Sequence, residues 1–258
     1  MKIDHSILET HKNFTEDEVD QSSTWRELEA VFFALQCFAP KLQGRSVNWE
    51  TDNQAVPSIT AKGSRKSHLQ HLAVNIYFLC KANNIHLNLF WVPREQNVIA
   101  DELSKFIDYD DWKTTKNFFN YMNEKWGPFT VDRFANYKNA QTTRYNSLFW
   151  NPNCEAVDAL IQDWSGENNW VVPPIFLIPT AIHHARACKA TGTLITPLWE
   201  SAPFWPMVRS TSGTFKTFII DFQVFTNTRG ILELGDFRKS LLGSSKFKSP
   251  IIAMRFQF

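Results

Sequence analysis

The sequence of 258 residues lacks several features that would mark particular classes of protein. Its four cysteines form no Cys-x-x-Cys pair, which argues against both a zinc site and a disulfide framework. No apolar run is long enough to span a membrane, and the N-terminal residues carry no apolar signal-peptide core. These absences predict an intracellular protein, cytoplasmic or nuclear, with no membrane partner.

Neither sign of charge is in excess, because 27 lysine and arginine residues balance 26 aspartate and glutamate residues to a net charge of +1. A nucleic-acid partner would therefore have to be bound by local basic clusters rather than by a general positive field. Apolar residues, in contrast, are plentiful: 43% of the chain is hydrophobic and 14% is aromatic. This composition predicts one large or two ordinary globular domains.

Three acidic residues stand where an α/β protein places functional groups. Glu27 lies in the first turn of a predicted helix that begins with a capping-box pattern. The alternative is that Glu27 only closes this capping box and has no catalytic role. Asp52 follows a strand predicted over 46–51, where a surface turn is the simpler alternative. Asp101 lies on a short helix predicted over 98–105. A shared function requires these three carboxylates to meet in the folded chain.

The segments between these acidic residues alternate as in an α/β layer fold. Apolar residues at helical spacing predict a helix over 67–82, and alternating residues predict a strand over 85–92 with Trp91 facing inward. Before that helix, Lys62-Gly-Ser-Arg-Lys66 forms a basic loop whose glycine would let the backbone approach a phosphate. An ordinary solvated loop fits the same pattern.

Three segments carry a family resemblance. They read Ser-Ser-Thr-Trp-Arg-Glu-Leu-Glu-Ala-Val over 22–31, Thr-Asp-Asn over 51–53, and Trp-Val-Pro-Arg-Glu-Gln-Asn-Val-Ile-Ala-Asp-Glu-Leu-Ser-Lys over 91–105. In this order they resemble ribonuclease H, and more closely the ribonuclease H region that follows reverse transcriptase in DIRS-type retroelements. The resemblance implies a mixed sheet with helices and hydrolysis of the RNA strand of an RNA–DNA hybrid.

The same resemblance assigns roles to particular residues. Glu27, Asp52 and Asp101 would be catalytic and would hold two Mg²⁺ or Mn²⁺ ions about 4 Å apart, one activating water and one stabilising the leaving oxygen. The hybrid would be recognised through its backbone shape and 2′-hydroxyl groups. The residues expected to bind the substrate or its phosphates are Asn53, Lys62, Arg65, Lys66, Arg94, Glu95 and Asn97.

The ribonuclease H family uses a further aspartate on its first strand, and only 26 residues precede Glu27. The N-terminal strands are therefore predicted to be partly missing. Asp4 has a poor position for that role, and Glu50 is a weak substitute on the same strand face as Asp52.

We expect a C-terminal part of a longer polyprotein, with an upstream reverse transcriptase domain as partner, or a decayed genomic copy. Cleavage would be impaired, and a non-catalytic binding or structural remnant is the alternative.

The rest of the chain predicts a different domain. We place the first domain at 1–108, a connecting helix at 109–127 started by the acidic residues near its beginning, and a second domain at 128–258. Predicted strands and helices alternate in this second domain, which suggests a parallel α/β sheet. The strands are predicted at 130–135, 169–172, 193–196, 218–225 and 251–256, and the helices at 156–164 and 179–190.

The second domain is similar to the segment that follows ribonuclease H in DIRS-type polyproteins. The matching segments are Val131-Asp-Arg-Phe-Ala135, Asn139-Ala-Gln141, Ala156-Val-Asp-Ala159, Asp163-Trp164, Trp170-Val-Val-Pro-Pro174 and Leu194-Ile-Thr-Pro-Leu-Trp199. That family segment has a likeness to adenine-N6 DNA methyltransferases, which implies a Rossmann-like fold.

In such methyltransferases, Asp-Pro-Pro-Tyr or Asn-Pro-Pro-Tyr follows a strand and binds the flipped base. The equivalent here, Val172-Pro-Pro-Ile175, has neither the polar residue nor the ring, and no glycine-rich loop precedes it. A degenerate methyltransferase that binds S-adenosylmethionine is therefore a third functional hypothesis. Asp132 could bind a cofactor or base in it, or could simply form a turn at a strand end.

Overall fold

The computed structural model describes residues 2–3, 6–105, 112–235, 240–244 and 246–258. The chain divides into a first unit, Met1–Phe106 with Phe149–Asn153, and a second unit, Ile107–Leu148 with Cys154–Phe258. Both units combine helices and strands, which confirms the predicted α/β class. Asp4 and the acidic segment 108–111 lie outside the described residues. No helix in the described ranges is both long and apolar enough to cross a bilayer.

The first unit places its helices around a short parallel pair of strands. The strands are β1 (Lys2–Ile3), β2 (Ser6–Ile7), β3 (Ser46–Thr51) and β4 (His86–Trp91), and the helices are α1 (Glu16–Val19), α2 (Ser23–Leu42), α3 (Ala55–Lys62), α4 (Ser67–Ala82) and α5 (Val98–Ser104). A 3₁₀ turn over Arg94–Gln96 precedes α5. The predicted bounds of β3 and α4 are confirmed.

Helix α2 is the centre of the first unit's core. The Ser22 hydroxyl caps it by accepting a hydrogen bond from the Trp25 amide at 3.2 Å, so the predicted capping box is wrong and Glu27 lies in the second turn. Pro40 lies inside the last turn rather than ending the helix. The apolar face is buried, and its members include Leu28, Val31, Leu35, Phe38 and Leu42.

Strands β3 and β4 pair in parallel, with Ser46 opposite His86 and Thr51 opposite Trp91. Residues paired in this way point to the same face, so Thr51 and Trp91 share the face that α2 and α4 cover. One mixed sheet was predicted for this unit. Within the ranges described, the strands form two separate sheets, this parallel pair and an antiparallel pair of β1 and β2.

A later segment of the chain joins the first unit. The Trp150 amide donates to the Glu9 carbonyl at 3.0 Å, and the Thr10 hydroxyl donates to the Trp150 carbonyl at 2.5 Å. The Lys41 ammonium lies 4.2 Å from the centre of the Trp150 ring. No pattern in the sequence predicts this return, because its contacts are with residues more than a hundred positions away.

The second unit is built on a seven-stranded sheet. Its strands are β6 (Val131–Asp132), β7 (Arg144–Ser147), β8 (Ala156–Val157), β9 (Asn168–Val171), β10 (Thr191–Pro197), β11 (Ile219–Phe225) and β13 (Ile251–Gln257). A separate antiparallel pair joins β5 (Trp112–Thr114) to β12 (Leu232–Leu234). The helices are α6 (Lys116–Trp126), α7 (Ile178–Ala187) and α8 (Trp205–Val208).

The spatial order of the large sheet is β11-β13-β10-β9-β6-β7-β8. Strands β8, β7, β6, β9 and β10 are parallel, whereas β13 runs antiparallel to both β10 and β11. The predicted parallel sheet is therefore mixed. Counted in chain order, the first six strands follow the doubly wound order 3-2-1-4-5-6, with the last strand inserted between the fifth and sixth.

Two predicted helices were wrong in whole or in part. The segment 156–164 forms the edge strand β8 and a 3₁₀ turn over Ala159–Ile161, because Asp158 adopts a φ of 56° and its side chain caps the Leu160 amide. The connecting helix predicted over 109–127 is wrong in part, because Trp112 starts strand β5. The partner strand, β12, is too distant in sequence for this pairing to be predicted.

Helix α6 begins only at Lys116, where the Thr115 hydroxyl caps the helix by accepting from the Phe118 amide. Its aromatic face packs inside the second unit: the Phe118 and Phe119 rings lie 6.3 and 5.2 Å from the Trp170 ring, measured between centroids. The helix is thus part of the core of that unit.

A buried arginine ties the second unit's strands together. Arg133, which is 3% exposed, donates to Asn169 Oδ1 at 2.7 Å, to Asn146 Oδ1 at 2.9 Å and to the Asp163 carbonyl at 3.1 Å. Its guanidinium also lies 5.5 Å from the centre of the Trp164 ring. Burial lowers the pKa of Arg133. The Val131-Asp-Arg and Asp163-Trp164 segments therefore meet in one polar network.

We predict that Leu35→Ala destabilises the first unit by about 2–5 kcal/mol, because it opens a cavity at a fully buried position of α2. The neighbouring exposed residue supplies the control: Gln36→Ala should change stability by less than about 0.5 kcal/mol. Urea denaturation followed by circular dichroism measures both. Equal effects of the two substitutions would contradict this packing of α2.

Candidate functional site

Glu27 and Asp52 come together where α2 passes the carboxyl end of β3. The Thr51 hydroxyl donates to Glu27 Oε2 at 3.1 Å. Burial raises the pKa of Glu27, the Thr51 hydrogen bond acts in the opposite direction, and the negative charge of Asp52 raises it further. The two carboxylates therefore repel each other electrostatically, a repulsion that a bound divalent cation would relieve.

Asn53 fixes the chain directly after Asp52. Its side-chain oxygen accepts from the Ala55 amide at 3.1 Å, and its amide group donates to the Thr24 hydroxyl at 3.3 Å. The first contact closes a turn directly before α3, whose N-cap residue is Gln54, and the second ties the end of β3 to the first turn of α2. Asn53 thus positions the Glu27–Asp52 pair.

Asp101 is held by two cations. Arg94 Nη2 lies 3.2 Å from Asp101 Oδ1, and Lys105 Nζ lies 2.5 Å from Oδ2. Hydrogen bonds from Lys105 and then Arg94 lower the pKa of Asp101. Arg94 also interacts electrostatically with Asp52, which links Asp101 to the acidic pair.

The donor set fits a divalent metal ion in part. Glu27 and Asp52 supply the carboxylate oxygens that Mg²⁺ and Mn²⁺ prefer. Asp101, however, has both oxygens engaged by cations. No group of three or more histidine, cysteine or acidic residues in the described part of the chain is arranged to hold a metal ion. The structure therefore places two of the three predicted ligands, Glu27 and Asp52, close enough to interact electrostatically.

The other predicted substrate-binding residues are distributed over two places. Glu95 is exposed in the 3₁₀ turn, and the Asn97 carbonyl accepts from the Asp101 amide at 3.1 Å at the start of α5. Lys62, Arg65 and Lys66 are exposed around the loop that joins α3 to α4. None of these three bonds to the carboxylates within the ranges described.

Three residues of the site carry no predicted role. Thr51 is buried and contacts Glu27, Lys105 pairs with Asp101, and the Trp91 indole N–H donates to the Asp52 carbonyl at 3.2 Å. The i to i+4 spacing of Asp101 and Lys105 is a signal for their pairing. Trp91 was predicted to face the core; it lies on the same face as the buried Thr51 opposite it, but it is 46% exposed.

The second unit has a recess at the carboxyl ends of its strands. Asp132 ends β6, and Val172 directly follows the adjacent parallel strand β9. The sheet's connections reverse direction at this pair, which is where doubly wound sheets bind ligands. The residues that line the recess include Trp112, Thr114, Asp132, Asn139, Gln141 and Val172.

Asp132 is an unusual carboxylate. It is 3% exposed, and burial raises its pKa to about 7, although the backbone N–H groups of Gln141 and Phe134 act in the opposite direction. Its Oδ2 accepts from the Gln141 amide at 3.0 Å. Asp132 Oδ1 and Gln141 Oε1 are both buried and make no hydrogen bond with any described residue. The recess thus contains two acceptors that lack donors.

Two family models match the chain, each over a part of it. A model described as reverse transcriptase-like matches residues 14–107, and one described as DNA N-6-adenine-methyltransferase (Dam) matches residues 104–221. The protein thus has a reverse transcriptase-like, ribonuclease H-like N-terminal region. More particularly, it joins that region to a C-terminal one that is similar to Dam methyltransferases. No curated protein matches the chain.

The raised pKa of Asp132 predicts a pH-dependent stability. The folded chain binds this proton more tightly than the unfolded chain between the ordinary value of 3.8 and about 7, so stability falls as the pH rises through this window. Asp132→Asn has no carboxyl group to ionise, so its free energy of unfolding does not fall in this window. Its stability relative to the wild type should therefore grow by up to about 4 kcal/mol from low pH to pH 8.

Urea denaturation at several pH values between 5 and 8 measures this difference. Asp163→Asn is the matched control, because hydrogen bonds from Ser165 lower the pKa of Asp163 and keep it ionised throughout that range. Its effect should be the same at every pH. A constant offset for Asp132→Asn as well would show that Asp132 ionises normally in the folded chain.

Proposed function

We propose that the first unit is a retroelement-derived ribonuclease H-like module, of the DIRS type, that binds RNA–DNA hybrids. The parent activity is two-metal hydrolysis of the RNA strand, and this chain retains it at most weakly. The reverse transcriptase-like match over residues 14–107 supports the ancestry. The observation that carries the proposal is the contact of Glu27 with the carboxyl end of β3, where the Thr51 hydroxyl, next to Asp52, donates to Glu27 Oε2 at 3.1 Å.

Two features support weak rather than efficient hydrolysis. Asp101 is paired with Arg94 and Lys105, so a metal ion has to displace these cations before a third carboxylate can bind it. A two-metal mechanism also needs several carboxylates around both ions. Glu27 and Asp52 can bind a cation that attracts a phosphate group to this edge. The side chain of Arg94, which is 73% exposed, can contact the backbone of the nucleic acid directly.

Divalent cations test the acidic pair. We predict that Mg²⁺ or Mn²⁺ raises the melting temperature of the wild type and has a much smaller effect on Asp52→Asn, because the variant removes one ligand and the repulsion that the metal relieves. Differential scanning fluorimetry with increasing cation measures this. Glu102→Gln, an equal charge change at an exposed position of α5, should respond like the wild type. Equal shifts in all three proteins would rule out a specific cation site at the pair.

Hybrid binding and cleavage test the function itself. Fluorescence anisotropy with a labelled RNA–DNA hybrid should show binding that weakens with salt, and gel analysis should show slow cleavage by the wild type that is lost in Asp52→Asn. Binding with equal background cleavage by both proteins would leave a non-catalytic binding module. Failure of the wild type to bind the hybrid would exclude the proposed function.

A second candidate function concerns the second unit. We propose that its recess binds an adenine-containing ligand, with S-adenosylmethionine as the first to test. The match to Dam methyltransferases and the position of the recess in the sheet support it. The specific observation is the pair of unpaired acceptors, Asp132 Oδ1 and Gln141 Oε1, which suit a ligand with amino-group donors.

Val172-Pro-Pro-Ile175, at the end of β9, lacks the side chains that hold a target base, so we propose ligand binding without methyl transfer. Isothermal titration calorimetry should show that S-adenosylmethionine binds the wild type and that Asp132→Ala binds at least about tenfold more weakly. Asp163→Asn, outside the recess, should bind like the wild type. No heat of binding with the wild type would exclude this ligand.

A further inference from the structure

Trp91 occupies an uncommon position for a tryptophan. It is the last residue of β4 and lies directly beside Thr51, whose hydroxyl contacts Glu27. Its indole N–H donates to the Asp52 carbonyl, which fixes the ring at the edge of the acidic pair. The side chain is nevertheless 46% exposed. The structure therefore holds a large aromatic surface in water next to the candidate site.

Core packing does not account for this placement. Trp49 and Leu89, on the same face of the strand pair, pack against the first unit's core, but Trp91 does not belong to that cluster. A tryptophan usually buries most of its ring and satisfies its N–H. Here the N–H is satisfied while much of the ring stays exposed, which is the arrangement expected of a pre-positioned contact surface.

We infer that Trp91 stacks on a sugar of the nucleic acid bound at the Glu27–Asp52 edge. This inference rests on the proposed function of the first unit. The sugars of a duplex present the same faces whatever the base sequence, so a fixed indole ring can contact the hybrid without reading its sequence. Arg94, three residues further on, supplies a charge for the adjacent phosphates. Trp91 is thus a positioning residue that places the backbone against the carboxylates.

The test uses anisotropy with a short labelled RNA–DNA hybrid at several salt concentrations. Trp91→Ala should bind roughly tenfold more weakly than the wild type, as is typical for the truncation of a tryptophan at an interface. Trp91→Phe keeps an aromatic ring but loses the N–H, and it should bind within about threefold of the wild type. The dependence of affinity on salt should be the same in all three, because an uncharged ring releases no counterions.

Phe90→Ala is the matched control. Phe90 is the neighbouring residue, it is 51% exposed, and the alternation of a strand directs it to the opposite face. Its removal should leave hybrid affinity unchanged. Melting temperatures of all variants confirm that they are folded, and Trp91→Phe separates loss of the ring from loss of the bond to Asp52.

The outcomes separate this inference from the function on which it rests. If the wild type binds the hybrid and Trp91→Ala binds equally well, the stacking role is wrong while the binding module stands. If Trp91→Phe is as weak as Trp91→Ala, the hydrogen bond to Asp52 matters rather than the ring, and the inference is again wrong. If the wild type itself fails to bind, both the proposed function and the role of Trp91 are overturned.

Discussion

Carboxylates at or beside the carboxyl ends of parallel strands, partly or fully removed from water, are the constraint around which both units are arranged. A charged group in such a place loses hydration that local hydrogen bonds restore incompletely. Glu27 has one hydrogen bond from Thr51 and a like charge next to it, and Asp132 has one oxygen without a donor. Each unit thus carries an unfavourable local interaction. In the functions proposed for the two units, a cation would relieve the first of these interactions and an amino donor the second.

The two units differ in how they treat the remaining charges. In the first, the exposed side chains of Arg94 and Lys105 neutralise Asp101 at the surface, where ion pairs contribute little to stability. In the second, Arg133 is buried and has no carboxylate in direct contact among its described partners. The first arrangement is suited to being rearranged by a ligand, whereas the second is part of the scaffold.

Local patterns predicted much of this structure, and long-range pairing accounts for most of what they missed. The periodicity of α4 and the alternation of β3 depend on neighbouring residues, so the sequence sufficed for them. Trp112 was assigned to a helix because its strand partner lies more than a hundred residues away. The roles of Glu27, Asp52 and Asp101 were proposed from the order of their motifs, and the spacing of Lys105 is a signal for its pairing with Asp101. The exposure of Trp91, in contrast, is not evident from the alternation of its strand. Asp132 is unusual because it is buried, and the burial of an aspartate at a strand end cannot be predicted from the sequence.

The Arg133 network has a consequence for the evolutionary history of the second unit. Its guanidinium bonds to Asn146 on one neighbouring strand and to Asn169 on the other. Replacing the arginine alone would leave both amide oxygens buried without these donors, and replacing either asparagine would remove one of the three hydrogen bonds that the buried guanidinium donates. Substitutions at these three positions are therefore expected to occur together. Among descendants of a common ancestor they should be inherited together or lost together, even where the chemistry of the neighbouring recess has diverged.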